Sequence, residues 1–320
     1  MSSLISVIMS VYNEKPLWLK ESIESILNQS YKNIEFIIVI DNPLNKKAID
    51  LINNYALKDK RVKLFINDKN MGLVYSLNLG LKNANGDYIA RMDADDISHL
   101  NRLEKQLKYI KEENLDLIGS NINLFNENGV FFTTDKLLTH KYIKKLLAKG
   151  TIGIVHPTFF AKRELFDKLG AYANSLHTED KELLARAICN NFRVGNIKDI
   201  LLNCRYNNQS ITKTNAIYVD RVGRYITKVF KDCLMSGKYN FDEKYIKELK
   251  VSKKEIENYN KKQLLINEAK AQLNQKNYLK FIYLLLKAII SSKTVFSTIK
   301  VNIYLKIYRV LEQIEMRRSI

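Results

Sequence analysis

The sequence predicts an α/β fold, a Rossmann-like, mostly parallel sheet with helices on both faces, followed by a basic helical extension. Three observations predict it. Short continuous apolar runs alternate with stretches whose apolar residues repeat at helical spacing. Polar and acidic residues collect just after the runs. Beyond about residue 215 the pattern changes: proline is absent after Pro157, glycine is absent after Gly237, and lysine-rich helical segments take over.

Taken in order, "LISVIM" (4–9) is a strand suited to burial on both faces, and "LWLKESIESILNQS" is a helix. "IEFIIVI" (34–40) and "KKAIDLINNYALKD" repeat the pair, as do "VKLFI" (62–66) and "GLVYSLNLGLKNA". "YIARM" (88–92) is the fourth strand, with a helix starting near Ile97. Strand–helix alternation means βαβ units with right-handed crossovers. The middle, 115 to 210, mixes shorter elements. "VHPTFFAKRELFDKLGAY" reads as a strand and a short helix ended by Gly170. "TEDKELLARAICNN" reads as a helix with Thr178 as N-cap and Glu179 and Asp180 in its first turn. The last segments, 252–276, 277–293 and 294–318, are amphipathic helices, the first two resembling a helical hairpin.

Composition excludes several classes. Apolar residues make up 46% and charged residues 27% of the 320, a globular balance. "MSSLISVIMSVYN" has no charged region before its apolar run, so no signal peptide is expected. The best membrane candidate, "FIYLLLKAII", is short and carries Lys287. A cytoplasmic protein is expected, with the inner face of the membrane as its one lipid option. Cys189, Cys204 and Cys233 are few and far apart, which predicts small core residues in a reducing compartment and no disulfide. His99, His140, His156 and His177 lack metal-ligand spacing. The net charge of +18 calls for an anionic partner, and 17 Lys/Arg against 8 Asp/Glu in residues 241–320 supply half of it.

Open α/β sheets bind ligands beyond the carboxyl ends of their strands. That rule selects "SVYNE" (10–14), "DNPLN" (41–45) and "DADD" (93–96). Tyr12 offers an aromatic face for a base, and Asp41 a carboxylate for ribose or base N–H groups. Each segment also reads as a plain turn. Asp93-Ala94-Asp95 alone is a chance-level D-x-D, equally an acidic turn capping the next helix, with Asp96 the residue best suited to that cap. Its place after a strand suits a hard divalent ion, which takes one or two carboxylates and completes its shell with phosphate oxygens and water. Glu179-Asp180 is either a helix-dipole partner or a source of a general base. No G-x-G-x-x-G follows the first strand and no P-loop occurs.

Together, "ISVIMSVYNE", "ESILNQSYKNIEFIIVID", "KNMGLVYSLNLGL", "GDYIARMDADDISHLNRLEKQ", "HPTFFAKRELFDKLGAY" and "TEDKELLARA" resemble the family 2 glycosyltransferases over about residues 4 to 211. The "DNPLN" form is similar to a variant among bacterial surface-polysaccharide enzymes. The resemblance implies a GT-A fold and an inverting enzyme using a nucleotide-diphosphate sugar, a UDP-sugar first, with Mn²⁺ or Mg²⁺. It implies a GT-A domain over 1–212, with 1–115 binding the donor and 116–212 a glycan or lipid-linked acceptor; 213–320 is the basic extension. By the same resemblance Tyr12 and Asp41 contact base and ribose, and Ser10, Asn13, Glu14, Asn70 and Arg91 join the donor side. Asp93 faces ribose and sugar, Asp95 is the direct metal ligand with Asp93 beside it, and Asp180 is the catalytic base. Arg205 belongs to a late loop over the diphosphate, where Asn207 or Asn208 stands in place of a common histidine. A nucleotidyltransferase would want a Gly-rich basic loop after the first strand, which "SVYNEKPLW" lacks. A nucleic-acid-binding protein would explain the charge but not aspartates at the ligand edge, so no nucleic acid is expected.

Overall fold

A computed structural model of the chain describes residues 2–136, 138–207, 215–290 and 293–318. The first half alternates as its hydrophobic pattern requires: β1 (Ile5–Val11), α1 (Pro16–Leu27), β2 (Ile34–Ile40), α2 (Lys46–Lys58), β3 (Val62–Ile66), α3 (Leu73–Lys82) and β4 (Tyr88–Asp93). Pro16 opens α1 at a position where its missing N–H costs nothing. Next come β5 (Ile97–Ser98), α4 (Arg102–Glu112), β6 (Leu117–Asn126), β7 (Gly129–Thr133), α5 (His140–Ala148) and a 3-10 turn at His156–Thr158. They are followed by β8 (Phe160–Lys162), α6 (Arg163–Leu169), α7 (Glu179–Cys189) and β9 (Val194–Arg205). The rest is helical: α8 (Ala216–Ser236), α9 (Glu243–Glu248), α10 (Lys253–Asn274), α11 (Tyr278–Ile290) and α12 (Lys293–Arg318).

One sheet runs β3-β2-β1-β4-β8-β6-β9-β5, with β7 paired to β6. The β3-β2-β1-β4 half is parallel, and β8 pairs antiparallel with β4 and β6. Strand side chains alternate between faces, so consecutive residues of one strand enter two cores. Val7 and Met9 of β1 join Phe36 and Ile38 on one face. Ile8 joins Ile37, Val39 and Ile89 on the other. This two-sided burial is why β1 and β2 read as unbroken apolar runs. Helix α3 lies so close to the sheet that a Cβ on Gly80 would sit 2.5 Å from Ile8 Cγ2. Helix α8 contributes Val222, Ile226 and Phe230 to the second core, so the basic region begins with a helix packed into the main body.

Four sequence expectations change. No helix starts near Ile97; Ile97 and Ser98 pair with Asn203 and Leu202 of β9, and α4 begins at Arg102. Asp96 caps no helix: it is 3% exposed and accepts the Arg205 N–H at 2.8 Å. Thr178 stands at the N-cap of α7 as expected, but its hydroxyl donates backwards to Ser175 O and caps no N–H. Cys189 and Cys233 pair as a disulfide, because α7 and α8 pack side by side and bring Cα atoms 44 residues apart to 6.3 Å. That proximity has no trace in the spacing of three cysteines. Cys204 is a free, buried thiol, as expected of a core residue.

A buried arginine links core and ligand edge. Arg102 is fully buried, and burial pulls its pKa down to about 10, so it stays charged at neutral pH. Its guanidinium donates to Arg91 O (2.7 Å), Pro157 O (3.0 Å) and Gln106 Oε1 (2.9 Å). Leaving a buried carbonyl without a donor costs about 1–3 kcal/mol. Arg102 therefore sets the backbone of β4 just before its acidic end.

Candidate active site

The carboxyl ends of β1, β2 and β4 converge, because parallel pairing in register places them side by side. Ser10 pairs with Asp93, and Val11 with Ile40. The loops that leave these ends carry the expected residues.

After β1, Tyr12 is exposed, and Glu14 turns back to accept the Tyr12 N–H at 2.8 Å. Burial, helped by the charges of Asp95 and Asp93, raises Glu14 to about pKa 7 against the backbone bonds that lower it. Asn13 Oδ1 accepts from Asn42 Nδ2 at 2.7 Å, and Asn45 Nδ2 donates to Tyr12 O at 2.9 Å, so the first two loops brace each other. Asp41 is only 4% exposed. Its oxygens accept from Asn67 Nδ2 (2.8 Å), Met71 N (2.7 Å) and Gly72 N (2.9 Å). Its carboxylate, expected at ribose or base, is thus already engaged in shaping the loop after β3. Gly72 has φ +89°, a left-handed conformation that only glycine adopts without strain, and this aims its N–H at Asp41. Asn70 lies exposed on that loop, its Oδ1 accepting from Gly72 N at 3.2 Å.

After β4, three carboxylates crowd one turn. Burial and the charge of Asp93 raise Asp95 to about pKa 6. Burial, then Asp93 and Asp95, push Asp96 well above the usual range. Arg205 fastens this turn from β9. Its N–H reaches Asp96, its Nε donates to Asp95 O at 2.9 Å, and its Nη2 pairs with Glu21 at 2.7 Å. The guanidinium lies between the rings of Trp18 and Phe125, 4.9 and 4.5 Å from their centroids. Expected over a diphosphate, Arg205 here holds the acidic turn in place. Asn207 follows it, while Asn208 and the rest of the late loop to Thr214 lie outside the described residues.

The second acidic pair comes to the same place through α7. Arg91 is 6% exposed and pairs with Asp93 at 2.5 Å. Its charge also acts on Glu179, Asp180 and Asp95. Arg91 Nε and Nη1 are buried without a partner. Glu179 is buried 3.6 Å from His156 Nδ1 and is raised to about pKa 7 by burial and by Asp180. Burial and Arg91 keep His156 neutral, and its Nε2 lies 3.4 Å from Tyr172 Oη. Asp180 is less enclosed, accepts the Lys181 N–H at 2.6 Å and is raised by burial. Lys181 anchors the helix start by donating to Gly150 O (2.9 Å) and Gly223 O (2.7 Å).

Arg91 pairs with Asp93, and its charge also favours the ionised forms of Glu179 and Asp180. Among the described residues no three carboxylate, histidine or cysteine ligands converge into a complete metal cage. The mutually repelling oxygens of Asp93 and Asp95 nevertheless fit a hard divalent ion that takes few protein ligands and keeps the remainder for phosphate and water. Sequence reading missed Asn67, Trp18, Glu21, Phe125, His156 and Tyr172. Only Asn67 carried a signal, its place directly after β3 at the ligand edge.

Residues 6–170 match the family described as Glycosyl transferase family 2. An uncharacterised glycosyltransferase of Methanocaldococcus jannaschii is 40% identical over 209 residues, covering 64% of this chain and 72% of that protein. The O-antigen biosynthesis glycosyltransferase WbnJ of Escherichia coli is 34% identical over 219 residues, covering 68% of this chain and 85% of WbnJ. Crystal structures of S. aureus TarS share the fold. The complex with UDP-GlcNAc superposes with a TM-score of 0.55 at 18% identity, covering 91% of this chain and 82% of that one. Against a longer TarS chain the match spans 54% of its length, with a TM-score of 0.54.

Proposed function

The chain belongs to glycosyl transferase family 2, and on that premise we propose an inverting transfer of sugar from a UDP-sugar to a hydroxyl of a glycan or lipid-linked acceptor, in surface-polysaccharide assembly. The observation that carries this reading is the meeting of Asp93-Ala94-Asp95 and Glu179-Asp180 around Arg91. Similarity to an O-antigen enzyme, and to a fold neighbour solved with UDP-GlcNAc, supports the substrate class.

In this reading the loops after β1, β2 and β3 receive the nucleoside, with Tyr12 offering its exposed face and Ser10, Asn13, Glu14 and Asn70 lining the approach. Asp41 keeps the third loop in shape. Asp95, with Asp93 beside it, would hold Mn²⁺ or Mg²⁺, which would supply charge neutralisation to the departing diphosphate. Asp180 takes the proton of the acceptor hydroxyl as its oxygen bonds to the anomeric carbon. The bond to the diphosphate breaks on the opposite face, and UDP leaves with the electron pair. Arg91 keeps the two acidic pairs compatible, and Arg205 keeps Asp95 in position. By this division residues 1–115 serve the donor, 116–212 the acceptor, and 213–320 form the helical extension.

Release of nucleotide from UDP-, GDP- and dTDP-sugars with Mn²⁺ tests the reading. Preferential release of UDP is expected, and no release from any donor would overturn it.

No helix among the described residues is long and apolar enough to cross a membrane. Helix α11 nevertheless exposes Leu279, Ile282, Tyr283 and Leu286 at helical spacing, with Lys280 and Lys287 on the same helix. We read this face as lying on an anionic lipid surface. Sedimentation with anionic vesicles should carry down the intact chain and, to a lesser extent, a Leu279→Ser/Leu286→Ser variant. Equal pelleting of both removes the lipid role.

A further inference from the structure

We propose that the exposed aromatic end of the β6–β7 hairpin, Phe131 with Tyr206, is an acceptor subsite on which a pyranose ring of the acceptor glycan stacks. The proposal rests on the glycosyltransferase reading and adds where the acceptor lies. Strands β4 and β6 are both antiparallel to β8, and β9 is parallel to β6, so the carboxyl ends of β6 and β9 point to the same edge as the acidic turn. An unbroken chain of contacts joins that turn to the hairpin. Arg205 Nε donates to Asp95 O at 2.9 Å, and the Arg205 guanidinium lies 4.5 Å from the centre of the Phe125 ring on β6. The next residue, Tyr206, donates its N–H to Phe125 O at 2.8 Å. Its ring meets that of Phe131 edge to face, with centroids 5.3 Å apart. The loops assigned to the donor follow β1, β2 and β3, on the other flank of the turn.

Three observations make this surface suit a sugar. Val130, Phe131 and Phe132 are 51 to 55% exposed and Tyr206 is 44% exposed, so four large apolar groups meet solvent together. Contiguous exposed apolar groups point to a binding surface. A bulge falls at the same place. Phe132 pairs with Leu124 and Val130 with Phe125, which leaves Phe131 opposite no residue of β6. Bulges re-aim a side chain and blunt a strand edge, so β7 is poorly suited to adding a strand from a second copy of the chain. A polar row runs beside the rings. Thr133 Oγ1 donates to Asn123 Oδ1 at 2.8 Å, Asn123 Nδ2 donates to Asn203 Oδ1 at 3.0 Å, and His99 Nε2 lies 3.0 Å from that same oxygen. Thr133 and Asn123 each stand two residues along their strands from Phe131 and Phe125. A pyranose has an apolar C–H face and a rim of hydroxyls. Aromatic rings offer a negative face to polarised C–H groups, and amide and hydroxyl side chains suit the rim. A lipid chain would make no use of the polar row.

Saturation-transfer NMR of the full chain tests this with octyl glycosides of glucose, galactose and N-acetylglucosamine, each below its micellar concentration. Every probe carries both a pyranose ring and an alkyl chain. Saturation should reach the ring protons of at least one glycoside in the wild type. Phe131→Ala and Tyr206→Ala should each weaken that binding between about twofold and tenfold, the worth of one aromatic contact. Phe131→Trp, which keeps a stacking face, should retain it. Leu57→Ser, 86% exposed on α2, should leave the ring signal unchanged. Absence of ring-proton transfer in the wild type, or equal transfer in the wild type, Phe131→Ala and Tyr206→Ala, overturns the proposal. A loss in Phe131→Ala confined to the alkyl protons gives the surface to a lipid chain and overturns it too. Sedimentation velocity covers the remaining occupant: a wild-type dimer that Phe131→Ala dissolves gives the surface to a second copy. Nucleotide release by the wild type is measured separately, so failure here leaves the glycosyltransferase reading standing. Ring binding without release from any donor overturns that reading and leaves a glycan-binding surface.

Discussion

Asp180→Asn should abolish sugar transfer while leaving donor binding intact. Asparagine has nearly the shape of aspartate, and its oxygen can still accept the Lys181 N–H that Asp180 accepts at 2.6 Å. The start of α7 stays anchored by Lys181 to Gly150 O and Gly223 O. What disappears is the ability to take a proton, worth on the order of 10² to 10⁴ in rate. The wild-type pH profile should show the same group. Burial raises Asp180 above the ordinary carboxylate range. The ionised form is the active one, so transfer should be complete above that raised value and fall as pH drops through it, earlier than an exposed aspartate would allow. Glu179→Gln should retain transfer and keep this acid limb, because burial and the charge of Asp180 raise Glu179 to about pKa 7 and leave it largely protonated on the acid side. Transfer by Asp180→Asn at the wild-type rate would return the base role to another group.

Asp95→Ala should remove the effect of divalent metal on donor binding and cut turnover roughly 100-fold or more, as loss of a direct ligand exceeds the 10–100-fold cost of losing its supporting shell. The chain contains a reporter for this. Trp18 is its single tryptophan, and it stacks on Arg205, whose Nε bonds to Asp95 O. Paramagnetic Mn²⁺ held at Asp95 with UDP should quench Trp18 fluorescence in the wild type and not in Asp95→Ala. Because Arg205 bonds the backbone oxygen of residue 95, the turn keeps its tether in the variant. Saturable quenching of the same midpoint in both proteins would show that the metal is held elsewhere. Burial, with the crowding by Asp93, raises Asp95 to about pKa 6, which is the physical reason to expect a cation there.

Much of this molecule can be read from residue order, and the parts that cannot share one cause. Strands and helices of the first half follow from local periodicity, so β1 to β4 stand where the apolar runs lie. The ligand edge follows from the same alternation, since parallel strands end together. Expectations failed wherever a residue's role depends on a partner far along the chain. Asp96 looks like a cap in sequence, yet it meets the N–H of Arg205, 109 positions away. Cys189 and Cys233 look isolated, yet two packed helices join them. Nothing near Arg205 in sequence points to Glu21, Trp18 and Phe125, which surround it.

By itself the sequence determined the α/β layering, the edge where the carboxyl ends of the strands meet, the family and the two acidic pairs. All rest on short-range periodicity or on motifs a few residues long. The tertiary structure alone decided that Arg91 pairs with Asp93, that Asp41 is engaged by the loop after β3, and that α12 brings Arg309 to Asp135 in the loop between β7 and α5. Electrostatic and hydrogen-bond partnerships act over a few ångströms of space, whatever their separation along the chain. Charges distant in sequence acquire their roles only once packing has closed that distance.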